Sequence, residues 1–430
     1  MSLDQLPLEL VTLIVDTFRD DREFLKTISL VSRPFLNACR THLFTTLRIH
    51  SLNPSFNYKC SAWSKFLRTS SALLPYLRVL ELGPPIFRLR ARNPALCSKH
   101  WTATLRRGLP SIHDDRIEFI MAGATNVHTV TLRFEFQSWR NFSLSFQRTV
   151  INLVRRESVS SISIEDAVDF PLHALGICRR LRDLSLISVN RREQLNIEEG
   201  PIDRQGHARR GHLQSLTLFA SDECVEHLVR ILTSPRSTLD LSRLQMLSVN
   251  TTGTDGRNAL KRIPASARSI TTLELRLSDQ KEYDLCDLNL FPNLRTLFIS
   301  ASYNRLRRPI VALSHFLSRS PSRSTLEELK ILFRQDVPEF EEEKSSQELT
   351  RICTNRDWRV LEQKLTLHNQ FSSLRKMILV FRPKDVTTFM SEYLRLSLHL
   401  SLVEVMPKLY ALTSPTIEVN DDRFEQYTQD

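Results

Sequence analysis

"LRDLSL" (Leu181–Leu186) sets apolar residues at its first, fourth and sixth positions, with polar residues between them. Its second half alternates with period two, the pattern of a strand with one buried face. The same spacing recurs as "LRVLEL" (77–82), "VHTVTL" (127–132), "VSSISI" (159–164), "LQSLTL" (213–218) and "LQMLSV" (244–249). "ITTLEL" (270–275), "LRTLFI" (294–299), "LEELKI" (326–331) and "LRKMIL" (374–379) complete the set. Helix-period segments lie between the copies, such as "FPLHALGICRR" (170–180), "SDECVEHLVRILTS" (221–234) and "RPIVALSHFLSRS" (308–320). Strand followed by helix, again and again, predicts an α/β chain.

Copies that begin 22 to 50 residues apart resemble leucine-rich repeats, stacked units that bury a shared core. The Asn or Cys that such repeats place after the last leucine is missing: the equivalent residues include Pro85, Glu135, Ala167 and Val189. The expected array is therefore irregular. A doubly wound α/β domain competes with it. The number of similar strands and the lack of a glycine-rich strand-to-helix turn favour the solenoid. The two longest intervals are expected to hold insertions. One is "IFRLRARNPALCSKHWTATLRR" (86–107); the other is "DVPEFEEE" (336–343), followed by an amphipathic helix through Trp358.

Upstream, the charge character changes near residue 50. The first 50 residues balance six acids against six bases, so the net charge of +11 belongs to the rest of the chain. Within those residues "LPLELVTLIVDTF" (6–18) carries Leu6, Leu10, Leu13, Ile14 and Phe18 at helical spacing. Asp20 or Asp21 suits the cap of a second helix bearing Phe24, Leu25, Ile28 and Val31. Pro34 opens a third with Phe35, Leu36, Cys39 and Leu43. Three helices in so short a stretch make a thin core, and such scaffolds lean on a partner.

The order Leu6-Pro7, Glu9-Leu10, Ile14, Leu25, Ser29-Leu30-Val31-Ser32-Arg33, Leu36 and Phe44 resembles an F-box of the kind common at the start of fungal F-box proteins. The likeness spans residues 4–48. Phe35 stands where such boxes often carry Trp. The resemblance implies docking to a Skp-type adaptor, and through it to a cullin scaffold. Its adaptor face would comprise Leu6, Pro7, Leu10, Ile14, Leu25, Leu30, Val31, Phe35 and Leu36, left open by the rest of the chain.

The expected organisation is thus α/β: a three-helix F-box (1–48), a connector (49–76), a leucine-rich-repeat-like solenoid of short parallel strands and helices (77–410), and a polar tail (411–430). Outward strand positions would form the surface that holds a target protein: Thr131, Arg133, Ser163, Glu165, Ser185, Thr217, Phe219, Ser248, Asn250, Glu274, Arg276, Phe298 and Ser300.

Little in the sequence points to catalysis. G-x-S-x-G, G-x-x-x-x-G-K and H-E-x-x-H are absent, and only nine glycines occur, against an average usage of roughly 7%. Seven scattered cysteines without a C-x-x-C pair suit thiols in a reducing intracellular compartment, cytoplasm or nucleus. Cys224 with His227, His207 with His212, and Glu165, Asp166 and Asp169 are the only loose clusters. Each reads more simply as core, loop or helix cap. No catalytic residue, metal or cofactor is expected, and no apolar run is long enough to span a bilayer. The expected role is that of a non-catalytic receptor in an SCF-type ubiquitin ligase. The alternative is a scaffold that binds an anionic partner or RNA through Arg88, Arg90, Arg92, Lys99, Arg106 and Arg107, beside Phe87 and Trp101. Motifs of the nucleic-acid-binding folds are absent, which puts that reading second.

Overall fold

The structure is a computed structural model. It describes residues 6–49, 56–83, 114–134, 138–190, 211–234, 237–250, 254–277, 287–302, 309–317, 324–334, 357–366, 370–382, 395–396, 398–400, 402–404, 406–413 and 415–419. The basic segment 86–107, the acidic segment 336–343 and His207 lie outside these residues. The chain divides into two compact units, Met1–Gly211 and His212–Asp430.

The first unit opens with three short helices, α1 (Leu8–Thr17), α2 (Arg22–Ile28) and α3 (Arg33–Leu43). Pro7 precedes α1, and its carbonyl accepts from the amides of Leu10 and Val11. Asp21, of the two candidate caps, starts α2: its side chain accepts the Phe24 amide at 2.9 Å. Val11, Val15, Leu25, Phe35 and Cys39 form a small closed core, flanked by Leu6, Ile14, Ile28, Ala38 and Leu43. His42 on α3 ties to Asp16 on α1 at 2.8 Å.

Two residues after α3 the chain enters β1 (Thr46–Ile49), and the repeats begin. β2 (Val79–Leu82), β3 (Thr129–Arg133), β4 (Ser161–Glu165) and β5 (Asp183–Ile187) follow, each parallel to its neighbours and in sequence order. The register aligns Leu47, Leu80, Val130, Ile162 and Leu184 in one column, and Ile49, Leu82, Leu132, Ile164 and Leu186 in the next. All ten side chains are buried. Helices at α4 (Phe56–Thr69), Asp114–Gly123 and Leu144–Val154, and a 3-10 turn at Leu172–Ile177, connect the strands. Ile120, Met121, Val150 and Leu153 add their apolar faces to the core.

The second unit repeats the scheme. A short pair, β6 (Gly211–His212) with β8 (Leu239–Asp240), stands apart from the main run. That run is β7 (Ser215–Phe219), β9 (Met246–Asn250), β10 (Thr272–Leu277), β11 (Thr296–Ser302), β12 (Glu328–Arg334), β13 (Lys376–Arg382) and β14 (Thr416–Val419). Leu216, Leu247, Leu273, Leu297, Leu329 and Met377 make one buried column; Leu218, Val249, Leu275, Ile299, Ile331, Leu379 and Ile417 make the other. Val225, Leu228 and Val229 from the helix Asp222–Thr233, and Trp358 and Leu361 from Asp357–Thr366, are buried with them.

All ten sequence copies are strands. Among the described residues five strands run parallel in the first unit and seven in the second, and within each unit their order follows the sequence. Neither unit contains the strand-order reversal of a doubly wound sheet.

The ladder also explains why the missing Asn does little harm. In eight of the ten copies the residue after the first apolar position offers its carbonyl to two successive amides of the next copy. Arg78 O accepts from His128 and Thr129, His128 O from Ser160 and Ser161, and Ser160 O from Arg182 and Asp183. In the second unit Gln214, Gln245, Thr271, Arg295 and Glu327 do the same. Main-chain groups thus hold the copies in register, so the side chain at this point is free to vary.

Two boundaries differ from expectation. "FTTLRI" (44–49) is an eleventh copy that straddles the anticipated edge at residue 48: Thr45 O accepts from Arg78 and Val79. At the other end Thr416–Val419, expected within a polar tail, is β14, paired with β13 from Ile378 to Phe381.

Candidate functional site

The helical lobe is unusual in what it leaves uncovered. Leu30 is 86% exposed, Leu13 63%, Leu8 62% and Leu10 46%, and Val31 and Phe18 are exposed as well. Leu30 and Val31 occupy the turn between α2 and α3. Their amides are held by the carbonyls of Thr27 and Ile28, so the turn is ordered by its own backbone. On α1, Leu10 and Leu13 follow helical spacing on the side away from Val11 and Val15. Phe18 packs its ring on Phe24 with centroids 4.2 Å apart.

The expected adaptor residues divide. Pro7, Leu10, Leu30 and Val31 are exposed, while Leu6, Ile14 and Leu36 are half-buried. Leu25 and Phe35 are only 1% and 2% exposed and belong to the lobe's own core, so they support the face and do not form it. Leu8, Leu13 and Phe18 belong to the exposed set and were not among the expected contacts. The correction has a simple cause. Leu25 and Phe35 pack with Val11, Val15 and Cys39 in the space between the three helices, so the lobe's own core takes them.

The outward strand positions also divide. In the first unit the register aligns Thr131, Ser163 and Ser185 across β3, β4 and β5, all half-buried. Arg133 Nε meets Glu165 Oε2 at 2.9 Å, and Ser163 Oγ donates to Glu165 Oε1 at 3.1 Å. Glu165 is buried and satisfied by these partners. Asp166 and Asp169 take positive φ values of 52° and 58°, which short polar side chains tolerate. Their amides donate to Ile187 O and Asn190 O. The acidic cluster after β4 therefore builds the turn.

In the second unit Thr217, Ser248, Glu274 and Phe298 share one row, and Asn250, Arg276 and Ser300 the next. Ser248 Oγ donates to Glu274 Oε2 at 2.8 Å; Arg276 lies 3.4 Å from Glu274 Oε1 and over the ring of Phe219 at 3.8 Å. Ser248 and Ser300 are buried, as are Leu332, Ile378 and Val380 against Phe298. The open part of this face thus ends near β11. Glu165, Ser248 and Ser300 are corrected from surface to interior. The remaining ten positions, Thr131, Arg133, Ser163, Ser185, Thr217, Phe219, Asn250, Glu274, Arg276 and Phe298, are half-buried, as large neighbours on adjacent strands shade one another.

Among the described residues, no group of three or more His, Cys, Asp or Glu is placed to hold a metal ion, and no helix is long and apolar enough to cross a membrane. Cys224 is buried within its helix. His212 Nδ1 lies 3.3 Å from Asp240 Oδ2. The Ser242 hydroxyl donates to the same carboxylate oxygen at 2.7 Å, and the Ser242 amide donates to Asp240 Oδ1. That arrangement links the two short strands. No protein family matches the chain, and no curated protein matches it.

Proposed function

We propose that this chain is the substrate-recognition subunit of an SCF-type ubiquitin ligase. The helices α1–α3 act as an F-box that docks on a Skp-type adaptor, and the repeat units hold the protein to be modified. One observation carries the reading: a lobe with a complete core of its own still presents Leu8, Leu10, Leu13, Leu30 and Val31 to solvent. Large aliphatic side chains left exposed in such number on a small folded lobe suit a protein interface. Covering a large aliphatic side chain is worth ~1.5–3 kcal/mol when complete. Five partly covered chains give on the order of 5–10 kcal/mol before the cost of association.

In this role the chain performs no bond chemistry. It supplies proximity, raising the local concentration of a target beside the partner enzymes. The half-buried positions Thr131, Arg133, Ser163, Ser185, Thr217, Phe219, Asn250, Glu274, Arg276 and Phe298 offer charge, hydroxyl and aromatic groups to such a target.

Co-purification of the full chain with a Skp-type adaptor tests the proposal. Wild type should retain the adaptor; Leu10→Asp and Leu30→Asp should each lose it, with an unchanged melting temperature. Equal retention by both variants and wild type would refute it.

A further inference from the structure

The rim where the chain turns into β4 and β5 carries a charge pattern that adaptor docking does not use. Arg155, Arg179, Arg180 and Arg182 are exposed there. The Cys178 thiol donates to Val154 O at 3.2 Å, which brings the turn holding Arg155 beside the turn holding Arg179. Arg182 donates its amide to Ser160 O, fixing its position in the ladder. Arg180 faces Glu157 at 3.9 Å, a loose and exposed pair. Among the described residues, none of Arg155, Arg179 and Arg182 forms an ion pair. Three strands from Arg182, Arg78 continues the row: Arg78, His128, Ser160 and Arg182 hold equivalent positions just before β2, β3, β4 and β5. At ~4.8 Å between strands, Arg78 and Arg182 stand about 14 Å apart.

We propose that this rim binds an extended Asp/Glu-rich segment of a partner protein. The guanidinium fork matches a carboxylate in shape as well as charge. Laid across the strands, an extended peptide places alternate side chains every ~6.6 Å, so carboxylates on one of its edges span the row within a few residues. The backbone ladder and the Cys178 contact hold the turns in place before the ligand arrives, which lowers the ordering cost. Single-stranded nucleic acid fits less well. Such ligands are held by base stacking on aromatic faces, and the one Phe, Tyr or Trp in residues 155–183 is Phe170, which is buried. The proposal stands apart from adaptor docking: this patch lies at residues 78–182, that face at residues 8–31, and either can fail without the other.

Fluorescence anisotropy of a labelled acidic peptide of about twelve residues, titrated with the full chain, tests it. The peptide should bind, with affinity falling steeply between about 50 mM and about 200 mM salt. The triple reversal Arg155→Glu, Arg179→Glu, Arg182→Glu should weaken binding roughly tenfold or more, and the corresponding glutamine variant should do so by less. Reversal of Arg359, Lys364 and Lys408, three exposed bases in the second unit, should leave binding near the wild-type value. Circular dichroism and melting should match wild type throughout. Absence of peptide binding, tighter binding of a single-stranded RNA of matched length, or an equal loss in the second-unit variant would each overturn the proposal.

Discussion

Individual residues in the helical lobe separate stability from docking. Leu25 and Leu10 are both leucines at helical spacing, but one is enclosed and the other faces solvent. Leu25→Ala should destabilise the lobe by ~2–5 kcal/mol, read by denaturant unfolding. Leu10→Ala should change stability by no more than about 0.5 kcal/mol while reducing adaptor retention. Cys178 gives a pH test. Burial pushes its thiol up to about 12, the Arg155 charge opposing only in part. The folded chain should resist iodoacetamide at this thiol at pH 8.5, and unfolding in urea should restore reaction, as peptide mapping would show. The sign for stability follows. The unfolded thiol ionises near 9 and the folded one near 12. The contribution is complete below that lower value and is lost as pH climbs through the interval.

At the scale of elements, the Arg133–Glu165 pair joins adjacent strands on the outward face, with Arg133 half-buried and Glu165 buried. Removing one partner leaves the other charge with little water, so Glu165→Ala should cost ~3–5 kcal/mol. The double change Arg133→Met with Glu165→Leu should be close to neutral; equal losses in the two variants would contradict this account. Gly83, which ends β2, has φ 129°, and a Cβ there would meet Arg133 Cβ at 2.4 Å. Gly83→Ala should therefore lower the melting temperature by strain alone. These elements were legible to different degrees. The strand copies could be read because two buried apolar positions per strand leave an alternating trace. "FTTLRI" escaped notice because Phe44 also closes the helical lobe, and one residue served two patterns. β14 escaped because Pro415 sits where a copy would carry an aliphatic residue. Leu25 and Phe35 were expected on the adaptor face and lie in the lobe's core, since periodicity marks an apolar stripe without saying which neighbour covers it. Burial of Ser248 and Ser300 left no trace either, as it depends on side chains from neighbouring strands.

For the molecule as a whole, the continuity between lobe and repeats alters where it can be divided. Leu47 and Ile49 pair with Leu80 and Leu82 in the apolar columns. A truncation that starts at residue 51 should expose that edge, melt at lower temperature and scatter light on warming. One that starts just before Phe44 should stay monodisperse. Size-exclusion chromatography with light scattering separates the two outcomes. The cut before Phe44 is also the one that removes the proposed docking helices cleanly while keeping the rim at residues 78–182.

Between the last residue of α3 and the first of β1 lie only Phe44 and Thr45, and Phe44 stacks near Phe66 of α4 with ring centroids 6.3 Å apart. So short a joint has no slack. Whatever grips the helices is set at a fixed bearing to the strands beside them, as a jib is set on its mast. Two or three glycines inserted after Leu43 would let that bearing swing. Both grips would survive, and under the proposed role the held target would no longer be aimed at the partner enzyme.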